Sequence, residues 1–530
     1  MIKEKIFPKK TPLSNRDFFF IILAFSMLVF FYFIQLPEGL TSITNTNGET
    51  ITLTHNGQIM IGILFMAAIL WITEPIPLPV TALLIIILQP ILGIFESKEV
   101  FSLFGNQAVF FLIGAFIIAA AVEKQGLHKR FALRFLGFFE KSPRLFTLGI
   151  MLSCAMLSFI MPEHGVAALF LPIIASILIA MRIIPKQSNF GKISMLSIAY
   201  GCSIGSLGTL IGGARNPYTI GFLSSLETPI NVTFVDWMIY AMPVVLISLP
   251  VVWIILQLAF PVEIKDVSLA KKEINNQVTQ MGIINKKDFL ILFSISILFL
   301  SLITLSNLTL MIVSGIILAL FLSYILEKKE FTVLFILIFV IALWIFFSSS
   351  IYFGLAVVAI LGSILLFVTG SIEWKDVEKR VPWGIILLYG GAITLGIGIQ
   401  TTGAGSWIAT QLFQNTGANI YLVILVMILF TVLLTNIMSN VGAVALLLPI
   451  GVSIASNVAG ISPLLASMII ALSGGLAFML VIATPGNAIT YSSGYFTTKD
   501  LFKAGLFANI ICIFIVFTVA IVYWIGILGL

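Results

Sequence analysis

Long apolar runs separated by short polar stretches make up most of this chain. Many runs reach about 18 residues, the length that crosses a bilayer, and they are apolar on every side rather than along one stripe. Lipid and neighbouring helices must therefore surround them, which predicts an all-α membrane protein that crosses the bilayer many times. About thirteen spans and two hairpins are expected, and the spans outside the repeated breaks lie near residues 18–36, 58–73, 78–95, 108–122, 237–260, 289–306, 308–326, 331–347, 350–368, 385–400 and 504–528.

Two segments of the chain resemble each other. "FIMPEHGVAALFLPI" (Phe159–Ile173) and "NIMSNVGAVALLLPI" (Asn436–Ile450) align without gaps, and "GGARN" (Gly212–Asn216) matches "ATPGN" (Ala483–Asn487) at a slightly smaller offset. The flanks of the first segment are basic and those of the second are uncharged, so the two halves are expected to have opposite orientations. Such an inverted repeat is typical of secondary transporters, and we interpret the paired runs around each segment as re-entrant hairpins.

The basic residues, with the exception of Lys98, are confined to alternate polar stretches. Lysine and arginine cluster at the N-terminus and at 122–144, 182–192 and 265–287, whereas 37–58 and 401–419 contain none. By the positive-inside rule the first group faces the cytoplasm and the second faces outward. We therefore expect a multi-pass protein of the plasma (cytoplasmic) membrane with its N-terminus in the cytoplasm and its C-terminus outside.

The repeat divides the chain into four predicted parts. These are an N-terminal tail with the first span and an external loop at 1–56, the first repeat at 57–262, a cytoplasmic linker with an extra helical pair (289–326) at 263–330, and the second repeat at 331–530. Within the repeats we predict scaffold spans at 57–123 and 331–400, hairpins at 144–182 and 419–458, broken helices at 193–222 and 463–490, and closing spans at 237–260 and 504–528.

Composition excludes several classes of function. The chain is 60% hydrophobic with 9% charged residues, which excludes a soluble enzyme, and its net charge of +6 follows membrane sidedness rather than marking a nucleic-acid partner. Cys154, Cys202 and Cys512 lie inside apolar runs without paired spacing, so we expect them to be packing residues rather than disulfide or metal ligands. We expect neither an enzymatic activity nor a cofactor.

The binding chemistry is expected at the hairpin tips and helix breaks, which should meet near the middle of the membrane. There, unwound backbone and helix N-termini can replace the hydration shell of an ion or an anionic substrate. At the second tip Ser439 and Asn440 offer side-chain oxygens, with Thr435 one turn earlier. The break at Ala483 and Thr484 is enforced by the proline and glycine that follow. Uncharged, oxygen-rich ligands of this kind suit Na⁺.

At these residues the sequence resembles the divalent anion/sodium symporter family, which contains bacterial dicarboxylate transporters and animal citrate, dicarboxylate and sulfate carriers. The resemblance covers nearly the whole chain and is carried by "WITEPIPLPVTALL" (Trp71–Leu84), "SIGSLGTLIGGARNP" (Ser203–Pro217) and "ATPGNAITYSSGY" (Ala483–Tyr495). It implies a homodimer in which a transport domain, built from the hairpins and broken helices, moves like an elevator against a scaffold.

The resemblance also implies binding residues. The first sodium site would be Ser158, Glu163 and Gly212, and the second would be Thr435, Met438, Asn440 and Ala483. The positions implied for the substrate are Glu163, His164, Gly213, Arg215, Ser439, Asn440, Val441, Thr484 and Pro485.

The first tip departs from the family pattern. Family members carry Ser-Asn-Thr there and Pro-Pro in the first break, whereas this chain has Pro162-Glu163-His164 and Ala214-Arg215. A charge at the bilayer centre costs at least about 2.5 kcal/mol on insertion scales, so these groups are expected to function. Glu163 and Arg215 can replace the charge of the first sodium ion as a fixed pair. Alternatively, Arg215 can clamp an anion while Glu163 and His164 carry a coupling proton. We favour the proton-carrying role, because a fixed pair would not require the adjacent imidazole.

We expect a secondary active carrier of small anions, with dicarboxylates such as succinate first and inorganic oxyanions such as sulfate next. The second tip favours sodium symport, and the altered first tip favours proton symport or anion exchange. An anion channel is a remote alternative, and a membrane-embedded enzyme using Glu163 and His164 as acid and base has no support from the repeat. The expected partners are a small anionic substrate, the lipid bilayer and a second copy of the chain.

Overall fold

The computed structural model describes residues 14–37, 41–44, 50–281, 290–291, 293–294, 296–297, 308–325, 329–347, 350, 353–413, 419–457 and 461–530. In this part of the chain the only strands form an antiparallel ribbon, β1 (Ser42–Thr44) with β2 (Thr50–Thr52), and almost everything else is helical. The predicted all-α architecture is confirmed. The helices are α1 Asn15–Phe33, α2 His55–Thr73, α3 Leu78–Ile91, α4 Ser97–Phe104, α5 Gln107–Lys124, α6 Leu127–Leu136, α7 Pro143–Leu157, α8 Glu163–Ala180, α9 Asn189–Gly205, α10 Arg215–Ser224, α11 Phe234–Ala259, α12 Ser268–Gln280, α13 Leu308–Ile325, α14 Lys329–Phe347, α15 Leu355–Val368, α16 Trp374–Arg380, α17 Trp383–Thr401, α18 Ala404–Phe413, α19 Ile420–Ile437, α20 Asn440–Asn457, α21 Pro463–Ser473, α22 Pro485–Tyr491 and α23 Thr498–Thr518, which continues as a π-helix through Ile525.

Nine helical stretches in the described residues are long and apolar enough to cross a bilayer. Shorter apolar helices, among them α3, α7 and α15, lie between them. The span predicted at 289–306 lies largely outside the described residues, and the one predicted at 308–326 corresponds to α13. The chain is therefore a multi-pass membrane protein.

Polar residues mark where several of these helices begin. Ser14 accepts from the backbone N–H of Asp17, and the Asp17 carboxylate accepts from the backbone N–H of Ser14, which forms a capping box before α1. Thr233 and Asp236 form the same box before α11. These reciprocal bonds satisfy N–H groups that a helix terminus leaves free, so the apolar run can start abruptly.

Helix bounds recur along the chain at the offset of the sequence repeat. Both ends of α3 and α15 are 277 residues apart, as are both ends of α8 and α20. Each copy of the α3 type is followed by a glycine in the left-handed region, Gly93 (φ 72°) and Gly370 (φ 65°), where a side chain would be strained. The duplication seen in the sequence thus extends to the ends and turns of the helices.

The chain forms two compact units. The first contains residues 1–106, 383–423 and 442–467, and the second contains 107–382, 424–441 and 468–530. Each unit draws segments from both sequence repeats.

Each unit contains a close helix crossing, and the two crossings use equivalent positions. In the first unit, Gly391 of α17 packs on Ala82 of α3, where a Cβ at residue 391 would lie 2.5 Å from the alanine carbonyl oxygen. In the second unit, Gly114 of α5 packs on Ala359 of α15, where a Cβ at residue 114 would lie 2.6 Å from the alanine. Each crossing therefore pairs a helix of one repeat with a helix of the other.

The three cysteines lie inside apolar helices. Cys154, Cys202 and Cys512 are free thiols and are buried in α7, α9 and α23. Within the described residues, no group of three or more His, Cys, Asp or Glu side chains is arranged to hold a metal ion. Their packing role is consistent with their positions in apolar runs.

Candidate functional site

The first hairpin tip lies between α7 and α8, in the second unit. Helix α7 ends at Leu157, Ser158 caps its C-terminus, and Pro162 comes directly before Glu163, the first residue of α8. Proline suits this position because its ring fixes φ and because it has no N–H to leave unbonded. Glu163 consequently occupies the first turn of α8, where the helix dipole favours a negative charge.

The second hairpin tip lies between α19 and α20 and contains only Met438 and Ser439. One turn before it, the buried Thr435 Oγ1 lies 2.9 Å from Asn440 Oδ1 and 2.7 Å from the carbonyl oxygen of Gly474. The hydroxyl has one hydrogen to donate and two oxygens that can accept it. Three oxygens therefore meet at this tip with a single proton among them.

An asparagine closes the interrupted segment that follows each hairpin. Asn216 Nδ2 donates to the backbone carbonyls of the residues ten and seven positions earlier, over 2.8 and 2.6 Å. Asn487 Nδ2 donates to the carbonyls at the same two separations, over 2.9 Å in both cases. The same pair of bonds holds the break in both repeats, so carbonyls released by the unwound helix are satisfied inside the protein.

Arg215, the first residue of α10, is buried beside the first break. Its Nη2 donates to Ser206 Oγ over 2.8 Å, and this hydroxyl donates to Glu163 Oε2 over 2.8 Å. Arg215 Nη1 lies 3.9 Å from the same carboxylate oxygen, and the arginine is only 1% exposed. Asn440 Nδ2 donates to the other carboxylate oxygen over 3.4 Å. Glu163 therefore links the two tips.

Glycines provide the space that the guanidinium occupies. A Cβ at Gly475 would lie 2.3 Å from Arg215 Nη2, and one at Gly213 would lie 2.9 Å from Nη1. Gly212 packs equally closely on the carbonyl oxygen of Ser158, which a Cβ would approach to 2.2 Å. Side chains at these positions would displace the arginine or the break, which explains why both segments consist of small residues.

The structure brings several of the predicted binding residues together. Glu163, Arg215 and Asn440 form one cluster, and Thr435 extends it to Gly474. The remaining predicted residues are Ser158, Gly212, Gly213, Met438, Ala483 and Thr484, which are buried, His164, Ser439 and Val441, which are half-buried, and Pro485, which is exposed.

One of the predicted residues, Thr484, is held elsewhere. Thr484 Oγ1 accepts from the N–H of Asn487 over 3.0 Å and so caps α22. Within the described residues, no hydrogen bond joins Thr484 or His164 to Glu163, Arg215 or Asn440. Their contact with a substrate or a proton stays a prediction.

Ser206, Gly474 and Gly475 belong to the cluster and were not predicted. Each lies directly after the helix that precedes a break, Ser206 after α9 and the two glycines after α21. That position was the available signal, because the first residues beyond an interrupted helix face its missing hydrogen bonds. A serine or glycine among apolar residues does not otherwise announce such a contact.

The family comparison decides the class of protein. The family model described as Citrate transporter matches residues 68–459, and a second match covers 342–528. The chain belongs to the citrate transporter family. Because the matches take in both hairpins and both helix breaks, the family assignment rests on the segments that form the cluster described above.

Relatives of this member of the citrate transporter family are similar over most of their length. The sodium-dependent dicarboxylate transporter SdcS of Staphylococcus saprophyticus is 29% identical over 493 residues, covering 89% of this chain and 86% of that protein. An uncharacterized transporter of Haemophilus influenzae is 28% identical over 480 residues, covering 88% and 91%. The chain is therefore a multi-pass membrane transporter.

Two solved structures share the fold at much lower identity. MtrF of Neisseria gonorrhoeae aligns with a TM-score of 0.53 at 11% identity and covers 98% of this chain and 97% of its own. The YdaH transporter of Alcanivorax borkumensis aligns with a TM-score of 0.53 at 12% identity and covers 96% and 97%. At this identity the likeness concerns the fold alone.

The two tips differ as ligand sets for a cation. The second tip offers three neutral oxygens, those of Thr435, Asn440 and Gly474, and hard cations such as Na⁺ prefer ligands of this type. At the first tip the carboxylate of Glu163 is already shared with the guanidinium of Arg215. The chemistry of the second tip fits Na⁺, and that of the first tip does not.

Proposed function

We propose that this transporter is a secondary active carrier that couples the uptake of dicarboxylates to Na⁺. The observation that carries the proposal is the meeting of Thr435 Oγ1, Asn440 Oδ1 and the Gly474 carbonyl at the second tip with one hydrogen among them. A cation between these oxygens would relieve their mutual repulsion. The 29% identity to a sodium-dependent dicarboxylate transporter over most of both chains supports the same ion and substrate class.

The substrate anion is proposed to bind beside the second tip. Helix α20 has 18 residues and begins with the uncharged Asn440, so its first backbone N–H groups and its dipole favour a carboxylate next to Ser439 and Val441. The equivalent end of α8 already carries the Glu163 carboxylate. The two ends of the site therefore differ, with a neutral anion-binding end at the second tip and an internally paired end at the first.

Movement of the tips as one body is proposed as the transport step. Asn440 bonds to Glu163, so the two tips are connected to each other, and each asparagine-closed break holds its own interrupted segment. A connected set of this kind can carry ion and anion together, as the elevator mechanism expected from the family resemblance requires. A homodimer, with the N-terminus in the cytoplasm and the C-terminus outside, belongs to the same proposal.

Proton coupling or anion exchange is the second candidate. It is favoured by the burial of Glu163 within the membrane directly before a half-buried histidine, His164. Dicarboxylates or inorganic oxyanions such as sulfate would then move without Na⁺. Succinate uptake into proteoliposomes with Na⁺ or choline at fixed pH and potential distinguishes the two candidates.

Asn440→Ala tests the sodium ligand directly. We expect the variant to lose Na⁺-driven succinate uptake, because it removes one of the three oxygens and frees the Thr435 hydroxyl to bond Gly474 alone. A binding readout accompanies uptake. Na⁺ should raise the thermal midpoint of the wild-type protein in detergent, since a ligand at 100 times its Kd stabilises by about 2.7 kcal/mol, and this shift should be absent in Asn440→Ala.

Asn419→Ala is the matched control, since Asn419 is exposed and, among the residues that the structure describes, its side chain accepts from the backbone N–H of Tyr421 at the start of α19. It should keep both the uptake and the thermal shift. Wild-type uptake that is indifferent to Na⁺ would reject sodium coupling in favour of protons or exchange.

A further inference from the structure

The duplication makes a specific demand on the first tip. Ser158 and Glu163 occupy the repeat positions of Thr435 and Asn440, and Gly212 corresponds to Ala483. A duplicated protein would be expected to hold two equivalent cation sites, one at each tip. The structure instead shows three neutral oxygens at the second tip and an arginine beside the first.

Arg215 has no counterpart in the second half. In "GGARN" and "ATPGN" the residue before the asparagine is Arg215 in the first half and Gly486 in the second. The flanking asparagine bonds are the same in both halves, so the break itself does not require the arginine. Its guanidinium must have another role.

The guanidinium occupies a space that the chain keeps open. Arg215 is 1% exposed, and its Nη2 lies where a Cβ at Gly475 would be 2.3 Å away. Ser206 Oγ accepts from the guanidinium over 2.8 Å, and its one hydrogen lies between Glu163 Oε2 at 2.8 Å and the Ser203 carbonyl oxygen at 2.7 Å, so the hydroxyl bridges the ion pair. The closely packed glycine, the bridging hydroxyl and the counter-ion together hold Arg215 in one position.

From this geometry we infer that Arg215 is a permanent internal cation that takes the place of Na⁺ at the first tip, so that the transporter binds Na⁺ at the second tip only. The inference rests on the proposed sodium coupling. A Na⁺ ion at the first tip would face the positive guanidinium and compete with it for Glu163, whereas the pair is neutral without it. Glu163 and Arg215 are in this sense positioning residues, and the coupling ion acts at Thr435 and Asn440.

The repeat itself supplies the test variants. Arg215→Gly restores the residue of the second half and leaves Glu163 without its cation, so the carboxylate becomes available to Na⁺. Adding Glu163→Asn gives the first tip the residue pair of the second. Arg182→Gly is the matched control, since Arg182 is exposed and has a positive φ of 57° that glycine adopts easily.

The measurement is the Na⁺ dependence of the thermal midpoint of the purified full-length protein, with choline replacing Na⁺ at constant ionic strength. Succinate counterflow in proteoliposomes is measured in parallel. For wild type and Arg182→Gly we expect the stabilisation obtained from the midpoint to rise with ln[Na⁺] at a limiting slope of about RT, which corresponds to one bound ion. For Arg215→Gly we expect a lower midpoint without Na⁺ and a limiting slope of about twice RT, which corresponds to two bound ions. The double variant Glu163→Asn, Arg215→Gly should also show the steeper dependence, and it serves if the single variant does not fold.

The outcomes separate the inference from the proposed function. If Asn440→Ala removes the wild-type response but neither Arg215 variant changes the steepness, the inference fails and sodium coupling stands. If wild type ignores Na⁺ but Arg215→Gly acquires a response, sodium coupling and the inferred Na⁺ site at the second tip both fail, whereas the role of Arg215 as an internal cation stands. A wild-type limiting slope of about twice RT, or a Glu163→Gln variant that keeps exchange but loses accumulation driven by a pH gradient, would overturn the inference.

Discussion

Asn216 and Asn487 show how a single side chain stabilises an interrupted membrane helix. Each amide bonds to the carbonyls ten and seven residues earlier, at the point where the preceding helix unwinds. In hydrocarbon such carbonyls have no water to bond to, so an unsatisfied break would be strongly unfavourable. The breaks are therefore fixed parts of the architecture.

Asn216→Asp tests this role with almost no change of shape. The carboxylate cannot donate to the two carbonyls and would place negative charge against them, so we expect a loss of about 2 to 4 kcal/mol of stability and a lower thermal midpoint in detergent. Asn189→Asp is the control, because Asn189 donates one exposed bond to the Pro261 carbonyl and closes no buried break. Equal midpoints for the two variants would contradict the assignment.

The sequence predicted the charged residues of the site but not all of its small residues. Glu163 and Arg215 were predicted as neighbours because the family resemblance places both at one end of the binding site, and the ion pair is present. Ser206 and Gly475 were not predicted, because small residues in membrane helices pack against neighbours far more often than they mark a site. Their role depends on where the guanidinium lies, which no pattern of residue types specifies. The part played by His164 stays a prediction.

The helices differ in how strongly the hydropathy pattern predicts them. The hydropathy pattern predicted the long apolar elements to within a few residues, for example α11 at 234–259 against an expected 237–260. It did not predict α6, α12 or α16, because helices of 10, 13 and 7 residues with many charges neither span a bilayer nor form an apolar run. Hydropathy detects contact with lipid, and these elements have little of it.

The close crossing of α5 and α15 at Gly114 can be tested by substitution. In Gly114→Ala the new methyl group would lie 2.6 Å from Ala359, including its backbone, so α5 and α15 must move apart. We expect a loss of about 1 to 3 kcal/mol, measured as a lower thermal midpoint. Gly137→Ala should cause no loss, because its nearest contact is a Glu140 side-chain atom at 3.6 Å and its φ of −59° suits alanine.

Rescue adds a second check on this crossing. Ala359→Gly in the Gly114→Ala background removes one of three close atoms and leaves the two backbone atoms in place. Recovery should therefore be incomplete. Full recovery, or no loss in Gly114→Ala, would show that the helices can separate freely.

In the whole molecule, the fold is shared more widely than the side chains of the site. Two transporters with 11 and 12% identity share the fold over nearly the entire chain. The sequence predicted this architecture because a duplicated pattern of apolar runs and breaks repeats in the helix bounds. It could not predict how the chain divides into two compact units, since packing between distant segments leaves no periodic signal.

The inverted orientation of the hairpins is testable by labelling from each side. A cysteine at Arg182 should react only from the cytoplasm, and one at Asn419 only from outside, because the first hairpin has basic flanks and the second has none. An impermeant maleimide applied to intact cells and to inverted vesicles measures both. Reaction of residue 182 from outside would show that the paired helices cross the membrane as ordinary spans.

The burial of all three native cysteines makes such work possible in the natural protein. Cys154, Cys202 and Cys512 each have 0% exposure, so a maleimide dye should not label the unmodified chain. No cysteine-free background has to be engineered first, and any loss of function in a labelled variant can be attributed to the new position. Dyes placed near the two hairpins could then report the distance between them during turnover in an otherwise unaltered molecule.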